Sequence, residues 1–358
     1  MKIKLKNTAE QVELVKAIGS RDVAVAREAL EAFAAFIGPV VSKVLMQAGT
    51  ASAVYTDAPY DEDDNPSIPL DLFHNEGVDH VTVWSQNVAG GLPSSTVEGF
   101  SELKVSTYRL DSAVSFLKRY ARRGRLDVVS KAVEKMTNEV LVKQERNAWA
   151  VILKALVEAR TAAVGNNLGV AGGQIKATST AGSFQLEDLN NLLTLVKRIN
   201  TSYAGGTTAD TYGLTDLFIS PELKAQIRAF AYNPMRSDSS AAVSNNTNLP
   251  EGAREEIFRA AGSSELFGVT LHELVEFGKG QKYSVLFNNL SNGHLGANWN
   301  VSTREIAVGL DLGREAFIRP VARNSETGGT FTVLPDDQFV TRSEKTGFYG
   351  SLEEGRVC

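Results

Sequence analysis

Cysteine is almost missing from this chain: one thiol, Cys358, stands among 358 residues. An intrachain disulfide and a cysteine-rich metal site are excluded, and the composition suits a reducing compartment. A lone thiol can join two chains, but a solvated bystander is the simpler reading. Histidine is scarce too. His74, His80, His272 and His294 fall on unlike segments and no G-x-S-x-G elbow is present, so no nucleophile, base and orienter can be named. A basic excess is lacking: 37 Lys and Arg stand against 42 Asp and Glu, a net charge of −5, which argues against a dedicated nucleic-acid binder. The most apolar stretch, residues 29–41, is interrupted by Glu31 and Pro39 and falls short of the ~20 apolar residues a spanning helix needs. The amino terminus has no secretory pattern. The chain reads as soluble and made in the cytoplasm, with no membrane partner.

Three motifs come close to chemistry and stop short. His272-Glu273-Leu274-Val275-Glu276 places Glu where a zinc-protease helix needs its second His, in what reads as strand and turn. Asp61-Glu62-Asp63-Asp64-Asn65 begins like a calcium loop, but Pro66 takes the glycine position and Leu72 the place of the bidentate Glu. A solvated acidic loop is the better reading. The glycine-rich segment 165–173 follows a helix and is not closed by Gly-Lys-Ser/Thr, so it is no phosphate cradle. No metal or cofactor is expected, and no enzyme. One basic cluster remains, Lys118, Arg119, Arg122, Arg123 and Arg125. Phosphate could meet it, as could acidic side chains of a neighbouring domain or subunit.

What is present is organisation. With 43% hydrophobic residues over this length, the chain can bury two or three cores. Residues 8–37 read as two helices: Thr8 and Gln11 have capping-box spacing, and Gly19-Ser20 separates the stripe Val12, Val15, Ile18 from Ala26, Ala29, Leu30, Phe33, Ile37. Residues 47–76 are rich in proline and acid and read as an extended arm. Alternation over 81–88 and 102–110 predicts a hairpin joined through the Gly/Pro/Ser stretch 89–100. A short helix is expected over 112–120, closed by Gly124. An unbroken helix follows over 127–160, about 50 Å long. Its stripe runs Leu126, Val129, Val133, Met136, Val140, then drifts to Ala148, Ile152 and Leu156.

After a Gly/Thr/Ala linker comes an α/β half. It has a helix over 186–199, a buried strand over 214–219, and a helix opened by Ser220-Pro221-Glu222 with Ser as N-cap and Pro in the first turn. A short helix is expected at 254–261. Strands are expected at 266–271, 283–290, 304–310 and 317–319, with a closing β-pair at 330–334 and 339–342.

This order of parts resembles the tailed-phage major capsid protein, the Hong Kong-type shell fold shared with encapsulins. The resemblance is carried by 81–110, by 127–160, and by the strand–Pro–helix step Leu214-Thr215-Asp216-Leu217-Phe218-Ile219-Ser220-Pro221-Glu222-Leu223. It implies an α+β fold: an N-terminal arm (1–76), an extended β-hairpin loop (77–110), a peripheral domain with a long spine helix (111–183), an axial domain (184–304), and return strands to the peripheral domain (305–358).

The function it implies is a non-catalytic shell subunit of a virion capsid, assembled in the host cytoplasm. Its partners would be copies of itself in hexamers and pentamers, a portal, and packaged double-stranded DNA held without sequence preference. Scaffolding would come from a separate protein or from none, and any decoration protein would be a separate chain. A loop crosslink through Lys104, which sits on a strand and not at the tip, is not expected. Candidate subunit-interface residues are Trp84, Phe100, Lys104, Phe33, Arg119, Arg122 and Arg123. An encapsulin-like cargo compartment and a soluble α/β enzyme or binding module are the alternatives. The arm is expected to dock on the spine helix of its own or a neighbouring subunit, and the hairpin to pack over an adjacent one.

Overall fold

The computed structural model describes residues 8–47, 49–61, 64–69, 102–165, 178, 182–199, 213–232, 252, 255, 265–291, 300–313, 317–323, 330–335 and 345–358. The chain is α+β and divides into two compact units, residues 1–148 with 317–357, and residues 149–316 with 358.

In the first unit, helix α1 (Ala9–Ile18) starts at Thr8, whose hydroxyl accepts the Gln11 N–H. Helix α2 (Val23–Gln47) continues past Pro39, ten residues beyond the expected end. The proline removes one helix hydrogen bond and costs about 3 kcal/mol. Burial of Phe33, Ile37, Val41, Val44 and Leu45 outweighs it, at roughly 1.5–3 kcal/mol for each large side chain. A single turn, α3 (Ala51–Val54), leads into β1 (Thr56–Asp61). Glu145 caps that turn from a distance, accepting the Ala51 N–H and the Thr50 hydroxyl.

Two short strands, β2 (Ser67–Pro69) and β3 (Glu102–Lys104), pair antiparallel. The expected strand at 102–110 is thus two: after β3 the chain is irregular, and β4 (Tyr108–Leu117) begins anew. The expected helix at 112–120 is strand through Leu117, and only α4 (Lys118–Arg122) is helical. Side chains along β4 alternate, with Phe116 buried, and the strand pairs along its whole length with β11 (Lys345–Glu354). Strands β1, β9 (Ile318–Arg323), β11 and β10 (Thr332–Pro335) complete a five-stranded sheet among the described residues, with β1 parallel to β9. β10 pairs with β11, whereas the expected partner at 339–342 lies outside the described residues.

Helix α5 (Leu126–Gly165) is 40 residues long, about 60 Å. Its first stripe, Leu126, Val129, Val133, Met136 and Val140, is buried in one core with Leu30, Phe33 and Ile37 of α2 and with Phe116, Val321, Phe348 and Leu352 of the sheet. The division between the units falls inside this helix, between Ala148 and Trp149.

The second unit contains α6 (Leu186–Ile199), β5 (Asp216–Ile219), α7 (Pro221–Tyr232), β6 (Glu265–Leu266), β7 (Val269–Glu273), α8 (Lys282–Ser291) and β8 (Val308–Leu310). Its sheet order is β6-β7-β5-β8, with β5 parallel to β7. Ser220 is the expected N-cap: its Oγ accepts the Leu223 N–H at 3.0 Å. The strand expected at 283–290 is helix α8. Tyr283 and Phe287, four apart, are both buried while Val285 is 37% exposed, so the short apolar run has helical period. The helix expected at 254–261 lies outside the described residues except for Glu255. Trp149 is fully buried, with its ring 5.0 Å from Phe218 and 5.2 Å from Phe277.

Candidate functional site: a basic corner and a buried ion cluster

The basic cluster lies at the corner where β4 turns into α5. Helix α4 ends in a Schellman motif: the Gly124 N–H donates to Ala121 O and the Arg125 N–H to Tyr120 O. Gly124 has φ +63°, which glycine adopts without strain, and a Cβ there would stand 3.1 Å from Val12 and 3.2 Å from Lys16 of α1. On the other side, Arg122 Nε donates to Gly19 O at 2.6 Å, and Gly19 has no room for a Cβ beside Arg122. The corner is therefore bonded to the α1–α2 turn at Gly19 and packs Gly124 close against α1. Arg119 lies over the Tyr120 ring at 5.1 Å. Arg119, Arg122, Arg123 and Arg125 are exposed. No ion pair forms at any of the five cations among the described residues.

The polar centre of the first unit is of another kind. Glu354, fully buried, accepts from Arg319 Nε at 2.9 Å, Gln144 Nε2 at 3.0 Å, the Tyr108 hydroxyl at 2.8 Å and Arg356 Nη2 at 3.2 Å. Arg319 reaches on to Asp57 at 3.3 Å, and Arg356 lies 4.7 Å over the Tyr55 ring. Burial and then the neighbouring Glu354 charge push the Tyr108 phenol up to about 12. Both oxygens of Glu354 are engaged, so the cluster ties β1, β4, α5, β9 and β11 together and leaves no free base.

In the second unit, His272 Nε2 sits 2.6 Å from Asp216 Oδ1, and its ring stacks on Phe218 at 4.7 Å. A histidine and an acid thus meet in this sheet, with Ser220 just past the end of β5. Ser220, however, is fully buried, and its Oγ both caps α7 and donates to Glu305 at 2.6 Å. His272 and Glu273 stand on β7 with Glu276 in the following turn, as their pattern suggests. No group of three His, Cys, Asp or Glu among the described residues can hold a metal ion. The Cys358 thiol rests 4.0 Å from Val151 O, and desolvation followed by the nearby Glu158 charge raises it to about 11.

The sequence-derived interface candidates separate. Trp84 and Phe100 lie outside the described residues. Lys104 is exposed on β3. Phe33 is 2% exposed and packs 5.3 Å from Phe348, so its ring is covered within the chain. Arg119, Arg122 and Arg123 share the corner. Sequence reasoning missed Glu354, Arg319 and Arg356, whose burial shows only once strands far apart in sequence are paired. It also missed Phe36 and Val40 of α2, four residues apart and 46% and 44% exposed.

No protein-family model matches the chain, and no curated protein does. Solved structures resemble it. A chain of the capsid of cyanophage P-SCSP1u aligns over 85% of this chain and 83% of its own, at 11% identity and a TM-score of 0.49. A chain of the cyanophage Pam1 capsid asymmetric unit covers 85% and 84%, at 11% identity and a TM-score of 0.46. A chain from Mycobacterium phage Cain covers 87% and 84%, at 13% identity and a TM-score of 0.46.

Proposed function

We propose that this chain is the major shell subunit of a tailed phage. Copies of it would assemble as hexamers and pentamers into an icosahedral container for double-stranded DNA, without catalysis. The observation that supports this best is the arrangement of parts. A 40-residue helix belongs to two compact units, and return strands β9–β11 come back to the first unit after the second is complete. The strand–Ser–Pro–helix step that carries the resemblance is formed by β5 and α7. Two groups of types that often serve chemistry hold structure here, Glu354 bound by four donors and Ser220 by the cap of α7. Portal, scaffolding and decoration functions would come from separate chains.

Negative-stain microscopy of the purified chain, with analysis of particle content, tests the proposal. Icosahedral particles holding nuclease-protected DNA of genome length are expected from infected or transduced cells. A co-purifying cargo enzyme without DNA would move the chain to the encapsulin class. A small monodisperse oligomer under every condition would overturn shell formation itself.

A further inference from the structure

We infer that the basic corner at α4 is one half of a contact between copies of this chain, and that its counterpart is the acidic end of β1, Asp61 and Asp64, on the next copy. The inference rests on the shell reading and deepens it by naming two surfaces that meet.

Four observations carry it. First, Lys118, Arg119, Arg122, Arg123 and Arg125 place five cations within eight residues. Such a density costs self-repulsion, and no ion pair among the described residues relieves it. Second, the corner is held in shape by the Schellman turn at Gly124 and the Arg122–Gly19 bond. Those charges are therefore presented on a fixed support, which lowers the ordering cost of docking. Third, Asp61 and Asp64 are exposed at the end of an edge strand, joined by the Asp64 N–H to Asp61 O bond at 2.9 Å, and neither is ion-paired among the described residues. They bound the densest acid in the sequence.

The fourth observation is the charge of the whole chain. Removing the five cations from the 37 Lys and Arg leaves 32 against 42 Asp and Glu. Away from its corner, a second copy is thus more acidic than the net charge suggests. Charge complementarity favours a second copy as the occupant. The contact joins two different patches and is heterologous, the kind that closes as a ring when the rotation permits.

The test uses the full chain. Arg123→Glu with Arg125→Glu reverses two exposed cations and spares Arg122, which anchors the corner. Asp61→Lys with Asp64→Lys reverses the other side, and a third variant carries all four changes. Assembly is followed by mass photometry and sedimentation at 50 and 500 mM NaCl, with circular dichroism confirming native helix content. The wild type should assemble less readily at high salt. Either reversal alone should raise the assembly concentration about tenfold or more at low salt, and the fourfold variant should regain most of the loss.

Reversal of the corner without effect on assembly or its salt dependence would overturn the inference. So would failure of the fourfold variant to recover, since Asp61 and Asp64 would then not be the counterpart. A corner variant that assembles normally but loses retention of a duplex DNA fragment would overturn it in favour of phosphate. A wild-type chain that stays monomeric would overturn the shell reading and this inference together, whereas the first two outcomes leave shell formation standing.

Discussion

Glu354 shows how much one side chain can organise. A carboxylate with no solvent exposure is tolerable only when its charge and lone pairs are met, and here four donors meet them. Glu354→Gln keeps the shape and removes the charge, leaving the longer Asp57 contact as the one ion pair of the buried Arg319 among the described residues. A loss of about 3 kcal/mol in urea unfolding is expected, and a loss under 1 kcal/mol would show the pair to be dispensable. Tyr108 gives a pH signature at the same spot. Its folded pKa, about 12, lies above the ordinary tyrosine value of 10.0. The folded state therefore keeps its proton longer, and the resulting stability is whole below pH 10 and disappears as pH rises toward 12. Tyr108→Phe should show a shallower stability decline across that window than the wild type. Identical slopes in both proteins would assign the alkaline loss to other groups.

Among elements, the short helix α4 owes its stop to one residue. Gly124→Ala forces a side chain into φ +63° and toward Val12 and Lys16. A cost of about 1–2 kcal/mol is expected. Gly124→Asn should cost less, because asparagine tolerates the left-handed region. Equal costs for the two would mean that crowding, not backbone conformation, sets the penalty. This stop was legible in the sequence, as were the Thr8 and Ser220 caps and the first stripe of α5, because caps and periodicity are local. The elements misread were those decided by distant partners. Asp111-Ser112 has helix-opening chemistry, yet the ladder to β11, with Leu110 opposite Leu352 and Phe116 opposite Thr346, holds that segment extended. In α8, a segment expected as a strand is helical, and Tyr283 packs beside Phe277.

For the whole molecule, the consequential finding concerns the first two helices. The proline-rich, acidic segment after them had suggested an arm in search of a support. Within one chain, α2 buries Leu30, Phe33 and Ile37 with Val129, Val133 and Met136 of α5. Strand β1 extends that attachment by pairing with β9 over six residues. Limited proteolysis of free subunits should therefore leave α2 intact at trypsin levels that cut exposed termini. Rapid cleavage at Arg27 or Lys43 in free subunits, followed by protection on assembly, would show that α2 is stably held only when copies meet.

The sequence by itself determined the α+β class, the long helix with its buried first stripe, and the strand–Ser–Pro–helix step. Each depends on residues within a few positions of one another or on composition alone. Tertiary structure decided the rest: that β4 is a strand, that Pro39 sits inside a helix, and that Phe33 is covered by its own chain. It also decided that Arg319, Glu354 and Tyr108 meet in one cluster. The physical reason is the same throughout. These outcomes turn on burial and pairing between segments far apart in the chain, 246 residues in the Tyr108–Glu354 bond and 262 in the Arg319–Asp57 pair. Such long-range terms outweigh local propensities of a few tenths of a kcal/mol to about 3 kcal/mol.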